Sequence, residues 1–109
     1  MAWRDTLMRP AQSAFEQDLR EARRIILSRL GNRAHVYLYG SCARGQATRT
    51  SDIDVGILPT GQIDPIQISK LRHTLEQSNV LLPVELTNLA EVDAKFRQEI
   101  LRDAVKWSD

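Results

Sequence analysis

The chain has 109 residues, 42% of them hydrophobic and 27% charged, a profile that fits one folded globular domain over residues 1–109 and excludes a disordered chain or an enzyme with separate nucleotide and substrate domains. Fifteen cations against fourteen anions leave a net charge of +1, which argues against direct general binding of nucleic acid, because coating phosphates needs a cationic surplus on one face. The single cysteine, Cys42, excludes an intrachain disulfide framework; no apolar run approaches the ~20 residues of a membrane span, and the opening Met1-Ala2-Trp3-Arg4-Asp5 lacks the apolar stretch of a signal peptide, so the expected location is the cytoplasm, with no membrane contact.

Residues 10–30 read as a helix. Phe15, Leu19, Ala22, Ile26 and Leu30 recur at helical spacing as one apolar stripe, and Gly31-Asn32 supplies the stop. The opposite face interleaves Arg20, Arg23, Arg24 and Arg29 with Glu16, Asp18 and Glu21, the pattern of a solvated surface with i,i+4 pairs or, alternatively, of a basic docking face. Ala34–Tyr39 reads as a buried strand ending at Gly40, and Ser41–Thr48 as a turn running into a short helix. Asp52–Leu58 alternates, with Ile53, Val55 and Ile57 on one face and Asp52, Asp54 and Gly56 on the other, and so predicts a second strand. Asp64-Pro65 is a helix start, followed by Ile68, Leu71 and Leu75. Val80–Thr87 reads as a third strand, placed at a sheet edge by Pro83, which has no N–H to donate. Val92, Phe96, Ile100, Ala104 and Trp107 predict a closing helix with Phe96 and Trp107 in the core. The expected fold class is α+β: a small mixed β-sheet packed with helices, in the order α-β-α-β-α-β-α.

Chemistry concentrates between Gly40 and Asp54. A glycine at a strand end lets the backbone approach a phosphate, and a serine at a helix start can cap the helix or bond that phosphate; taken alone, Gly40-Ser41 is equally an ordinary turn. Asp52 and Asp54 share one face of a strand, where aspartate is disfavoured and like charges repel. A Mg²⁺ ion between them would resolve the repulsion, since Mg²⁺ commonly uses one or two carboxylates, waters and substrate phosphates; the competing reading has one aspartate capping a turn and the other facing water. Glu85, in mid-strand between Val84 and Leu86, is placed to be a third acid, or else a solvent-facing edge glutamate. His35, His73 and Cys42 lack the neighbours that a metal site or a nucleophile would need and read as packing or surface residues.

Gly40-Ser41, ten residues, then Asp52-Ile53-Asp54 resembles the signature of the DNA polymerase β-like nucleotidyltransferase superfamily. The fuller string, Gly40-Ser41-Cys42-Ala43-Arg44-Gly45 through Ser51-Asp52-Ile53-Asp54, resembles its minimal nucleotidyltransferase (MNT) branch, many of whose members are antitoxins of HEPN-domain RNase toxins. The resemblance spans essentially the whole chain. It implies the polymerase β-like fold, with Gly40, Ser41, Arg44 and Gly45 holding the nucleotide, although Arg44 could equally pack structurally. Asp52, Asp54 and Glu85 would be catalytic and would ligate Mg²⁺, as two ions, with ATP as substrate; Glu85 stands where the family commonly has aspartate. The implied activity is AMPylation of a tyrosine on a partner HEPN toxin, which neutralises it. The alternatives are a non-catalytic antitoxin acting by occlusion, or a nucleotidyltransferase for a small molecule or RNA.

Overall fold

The computed structural model describes residues 10–44 and 52–108, apart from the side chains of 10–14. Helix α1 (Pro10–Leu30) ends in a 3₁₀ turn, Gly31–Arg33, and leads into strand β1 (Ala34–Tyr39). A single helical turn, α2 (Gly40–Ala43), follows. Strand β2 (Ile53–Pro59), helix α3 (Pro65–Glu76), strand β3 (Val84–Asn88), helix α4 (Ala94–Asp103) and the two-residue strand β4 (Val105–Lys106) complete the chain order. The four strands form one mixed sheet in the order β3-β2-β1-β4: β1 runs antiparallel to β2 and β4, and β2 runs parallel to β3. Among the described residues no helix is long and apolar enough to cross a membrane.

Strand alternation sorts the two faces. Val36 and Leu38 of β1, Ile53, Val55 and Ile57 of β2 and Leu86 of β3 point into a core closed by Ala22, Ile25, Ile26 and Leu30 of α1 and Ile68, Leu71 and Leu75 of α3. Helix α3 begins as its sequence dictates, with Pro65 in its first turn and the Asp64 carboxylate accepting from the Ile66 N–H at 2.9 Å. The opposite face carries Tyr39, Asp54, Glu85 and Thr87, and so holds the candidate chemistry.

Four sequence expectations need correction. The third strand starts at Val84, not Val80. Residues 80–83 instead form a connection held by Asp18, whose carboxylate accepts from the Leu81 N–H at 3.1 Å and the Leu82 N–H at 2.9 Å. Asp18 is therefore buried and not part of a solvated face; it satisfies two backbone donors that would otherwise be stranded. On that face Arg24 pairs with Glu21 at i,i+3 spacing.

The closing helix stops at Asp103, where Ala104 turns extended (ψ 148°) and the chain enters β4. Trp107 reaches the core as expected, but from a strand-like segment: its N–H donates to the Val36 carbonyl at 2.8 Å and its own carbonyl accepts from Arg23 at 3.1 Å. Phe96 is 46% exposed. The inward side of α4 runs through Arg97, Ile100 and Leu101, and Phe96 sits roughly a quarter-turn away from it at 100° per residue.

Candidate active site

The site is built where two strand ends meet a turn. Tyr39 pairs with Asp54 across the antiparallel β1–β2 ladder, and Asp54 pairs with Glu85 across the parallel β2–β3 ladder. Tyr39, Asp54 and Glu85 thus lie in one row on the face turned away from α1 and α3. At the end of that row the chain turns through Gly40, in the left-handed conformation with φ +72°. A Cβ at Gly40 would collide with the Asp54 carboxylate. The strand-end glycine therefore has two physical requirements: a backbone that L side chains rarely adopt, and a carboxylate occupying the space of the absent side chain.

Asp52 lies exposed at the entrance to β2, two residues before Asp54. It is tied to the turn through its backbone, because the Cys42 thiol donates to the Asp52 carbonyl at 3.3 Å. Cys42 is buried beside these acids; burial raises its thiol pKa, and the charges of Asp54 and Asp52 raise it further. It is a packing and tethering residue, as its lack of a nucleophile's partners suggested.

Asp54 carries the clearest electrostatic signature. Burial raises its carboxyl above the ordinary aspartate range, and the neighbouring charges of Glu85 and Asp52 add to that rise. Asp54 thus feels both neighbouring acids, and its repulsion by Asp52 is the one that the sequence pattern anticipated. Glu85 itself is exposed, on the edge strand. Among the described residues no three His, Cys, Asp or Glu side chains converge into a ready-made metal-binding group. The donor set nevertheless suits a hard cation that completes its shell with substrate phosphates and water, and does not form an all-protein cage.

Ser41 is half-buried and Arg44 exposed, on the turn next to Asp54, while Gly45 and Ser51 lie outside the described residues. Two residues of this face escaped the sequence reading. The Tyr39 hydroxyl bonds to the Thr87 hydroxyl at 3.0 Å, reaching from β1 to β3. Burial raises the Tyr39 phenol above its usual range; the Thr87 bond opposes this, and the charges of Asp54 and Glu85 add to it. The available signal was the alternation of β1: with Ala34, Val36 and Leu38 inward, Tyr39 has to share the face of the acids, and a half-buried tyrosine needs a partner for its hydroxyl.

Comparison with known proteins agrees with this arrangement. No curated protein matches the sequence significantly. Among solved structures, one protein provisionally assigned as a minimal nucleotidyltransferase superposes with a TM-score of 0.67 at 25% identity, over 82% of this chain and 92% of that one. A toxin–antitoxin crystal structure with AMP-PNP gives a TM-score of 0.64 at 24% identity, over 78% and 71% of the two chains. A complex of tri-AMPylated Shewanella oneidensis HEPN toxin with MNT antitoxin gives 0.62 at 17%, over 84% and 70%. The two likenesses below 25% identity speak for the fold alone. The family model described as "Polymerase beta, Nucleotidyltransferase" matches residues 24–106, which take in the whole sheet and the candidate site. The chain belongs to the polymerase beta nucleotidyltransferase family.

Proposed function

We propose that this chain is a Mg²⁺-dependent protein adenylyltransferase that transfers AMP from ATP to a tyrosine of a partner HEPN toxin and thereby silences it. The observation that carries this reading is the row of Asp54 and Glu85 set directly against the Gly40 turn, with Asp52 tethered beside it. A phosphate cradle and hard oxygen donors occupy one corner of one sheet face. The fold likeness to a complex of an MNT antitoxin with a HEPN toxin supports this partner class.

Asp52, Asp54 and Glu85 would hold the metal, and Gly40, Ser41 and Arg44, with Gly45, would hold the triphosphate. A Mg²⁺ held there would supply a lowered pKa for an acceptor hydroxyl and charge stabilisation on the departing phosphates. The acceptor oxygen forms a bond to the α-phosphorus of ATP, the bond from that phosphorus to the β-bridging oxygen breaks, and pyrophosphate leaves. The acceptor's proton passes to a carboxylate or to water. Glu85 stands on the exposed edge strand, open to an acceptor carried by another macromolecule, so it is the carboxylate assigned to that side. Positioning and charge stabilisation supply most of the acceleration.

The test is to incubate the purified chain with ATP, Mg²⁺ and a HEPN toxin, and to read toxin mass and RNase activity. The wild-type chain is expected to add AMP mass to a toxin tyrosine and to abolish RNase activity. Asp52→Asn and Glu85→Gln are expected to bind the toxin but lose transfer by about 10²–10⁴-fold. Toxin silenced with no added mass would establish occlusion in place of transfer; labelled AMP appearing on RNA or a small molecule without toxin would establish a different acceptor class.

A further inference from the structure

Among the described residues, the strand that carries Glu85 lies at one edge of the sheet. β3 is an edge strand, bonded on one side only, through a parallel ladder to β2, and parallel pairing is slightly weaker per residue than antiparallel. Yet a metal or nucleotide shared between Asp54 and Glu85 requires β3 to stay fixed relative to β2.

Tyr39 makes a contact that meets this need. Its hydroxyl, on β1, bonds to the Thr87 hydroxyl on β3 at 3.0 Å and so skips the intervening strand. Two strand intervals are about 9.5 Å, a span that uses the full reach of a tyrosine. Tyr39 is in the row of Asp54 and Glu85, and Thr87 is in the next row, with Gly56. The diagonal between them crosses β2 between Asp54 and Gly56. The space over Gly56 is taken up from β3's end by Leu89, whose Cδ1 would be 2.8 Å from a Cβ there. Thr87 lies two residues beyond Glu85, on the same face of the same strand.

We infer that Tyr39 is a positioning residue: through Thr87 it braces the edge strand against the centre of the sheet and sets the separation of Glu85 from Asp54. This deepens the nucleotidyltransferase reading and rests on it for the role of the two acids, but the brace itself is a property of the sheet.

The experiment uses the full chain and Tyr39→Phe, Thr87→Val, the double variant, and Thr87→Ser. Three quantities are read: amide hydrogen exchange at residues 84–88, affinity for Mn²⁺-ATP by the paramagnetism of Mn²⁺, and kcat and KM of transfer. Tyr39→Phe and Thr87→Val are each expected to speed exchange in β3 and to weaken Mn²⁺-ATP binding about 3- to 10-fold, the size expected for one hydrogen bond. Loss should fall on kcat for the acceptor step as well as on nucleotide KM. The double variant should be no worse than either single one, and Thr87→Ser, which keeps the hydroxyl, should behave as wild type. Unchanged β3 exchange in Tyr39→Phe, additive losses in the double variant, or failure of Thr87→Ser to match wild type would overturn the brace. A wild-type chain that transfers no nucleotide to any acceptor would overturn the adenylyltransferase reading and leave the exchange measurement to decide the brace.

Discussion

At Gly40 a left-handed backbone and a carboxylate lodged in the place of a side chain coincide at one Cα. Gly31 offers a built-in control: it is also left-handed, at φ +55°, but nothing lies within 4 Å of where its Cβ would be. Gly31→Ala is expected to cost about 1–2 kcal/mol of stability from backbone strain alone, whereas Gly40→Ala should cost more and should displace Asp54; urea denaturation of the two variants gives the difference. Asp54 yields a second prediction through its charge. Its folded-state carboxyl pKa is raised, so the metal-free native state holds a proton more tightly than the unfolded chain does. That contribution is fully present at pH values below the ordinary aspartate pKa and is lost as pH rises through the window up to the raised folded value. Asp54→Asn should therefore flatten the acid side of the stability curve. Near neutral pH it should stabilise the metal-free protein by about 0.5–1 kcal/mol while ending transfer. Thermal melts between pH 3 and pH 8 in chelator check the sign; a less stable Asn variant at neutral pH would contradict it. Gly40, Asp52 and Asp54 were legible as a set because spacing and residue type mark them. The contact of Gly40 with Asp54 was not, since a sequence specifies neither a register nor a φ angle at a fourteen-residue remove.

Among the elements, the first helix, β1, β2 and α3 could be read because one period dominates each of them and caps or glycines bound them. The edges of the sheet resisted for different reasons. Val80–Pro83 alternates like a strand, but β2 begins at Ile53, opposite Val84, and Pro83 contributes only its carbonyl, which accepts from the Ile53 N–H at 2.8 Å. Leu81 and Leu82 are held instead by Asp18 from α1, across more than sixty positions, a contact that helical periodicity cannot reveal. Ala104 and Trp107 continue a helical spacing from Ile100, yet the open side of β1 takes residues 105 and 106 as a strand; local pattern yielded to tertiary pairing. The Asp18 clamp leads to a prediction: Asp18→Ala strands the Leu81 and Leu82 N–H groups and is expected to cost about 1–3 kcal/mol. It should also accelerate hydrogen exchange at those two amides, while Asp18→Asn, which keeps one acceptor oxygen, should lose less. Equal stability of Asp18→Ala and wild type in urea would remove the clamp from the account.

For the whole molecule the testable property is linkage between folding, nucleotide and metal. Acids that repel in the free protein, with no third donor converging on them among the described residues, should bind Mg²⁺ weakly without phosphate oxygens. ATP with Mg²⁺ is accordingly expected to raise the melting temperature, and ATP with chelator, or Mg²⁺ alone, much less; equal shifts in the three conditions would contradict shared binding. The C-terminal stitch along β1 bears on how such a molecule comes into being. The Val36 N–H donates to the Ser108 side chain 72 positions away, and the Val36 carbonyl receives the Trp107 N–H. On the ribosome, β1 and its turn emerge long before residues 105–108, so the nascent sheet carries a bare strand beside the candidate site until those residues follow. Contacts of such long sequence separation slow folding, and unpaired edges invite association with other chains. Co-translational binding of a chaperone or a partner at that edge would meet the chain at its most vulnerable stage, before the last four residues of the stitch close it.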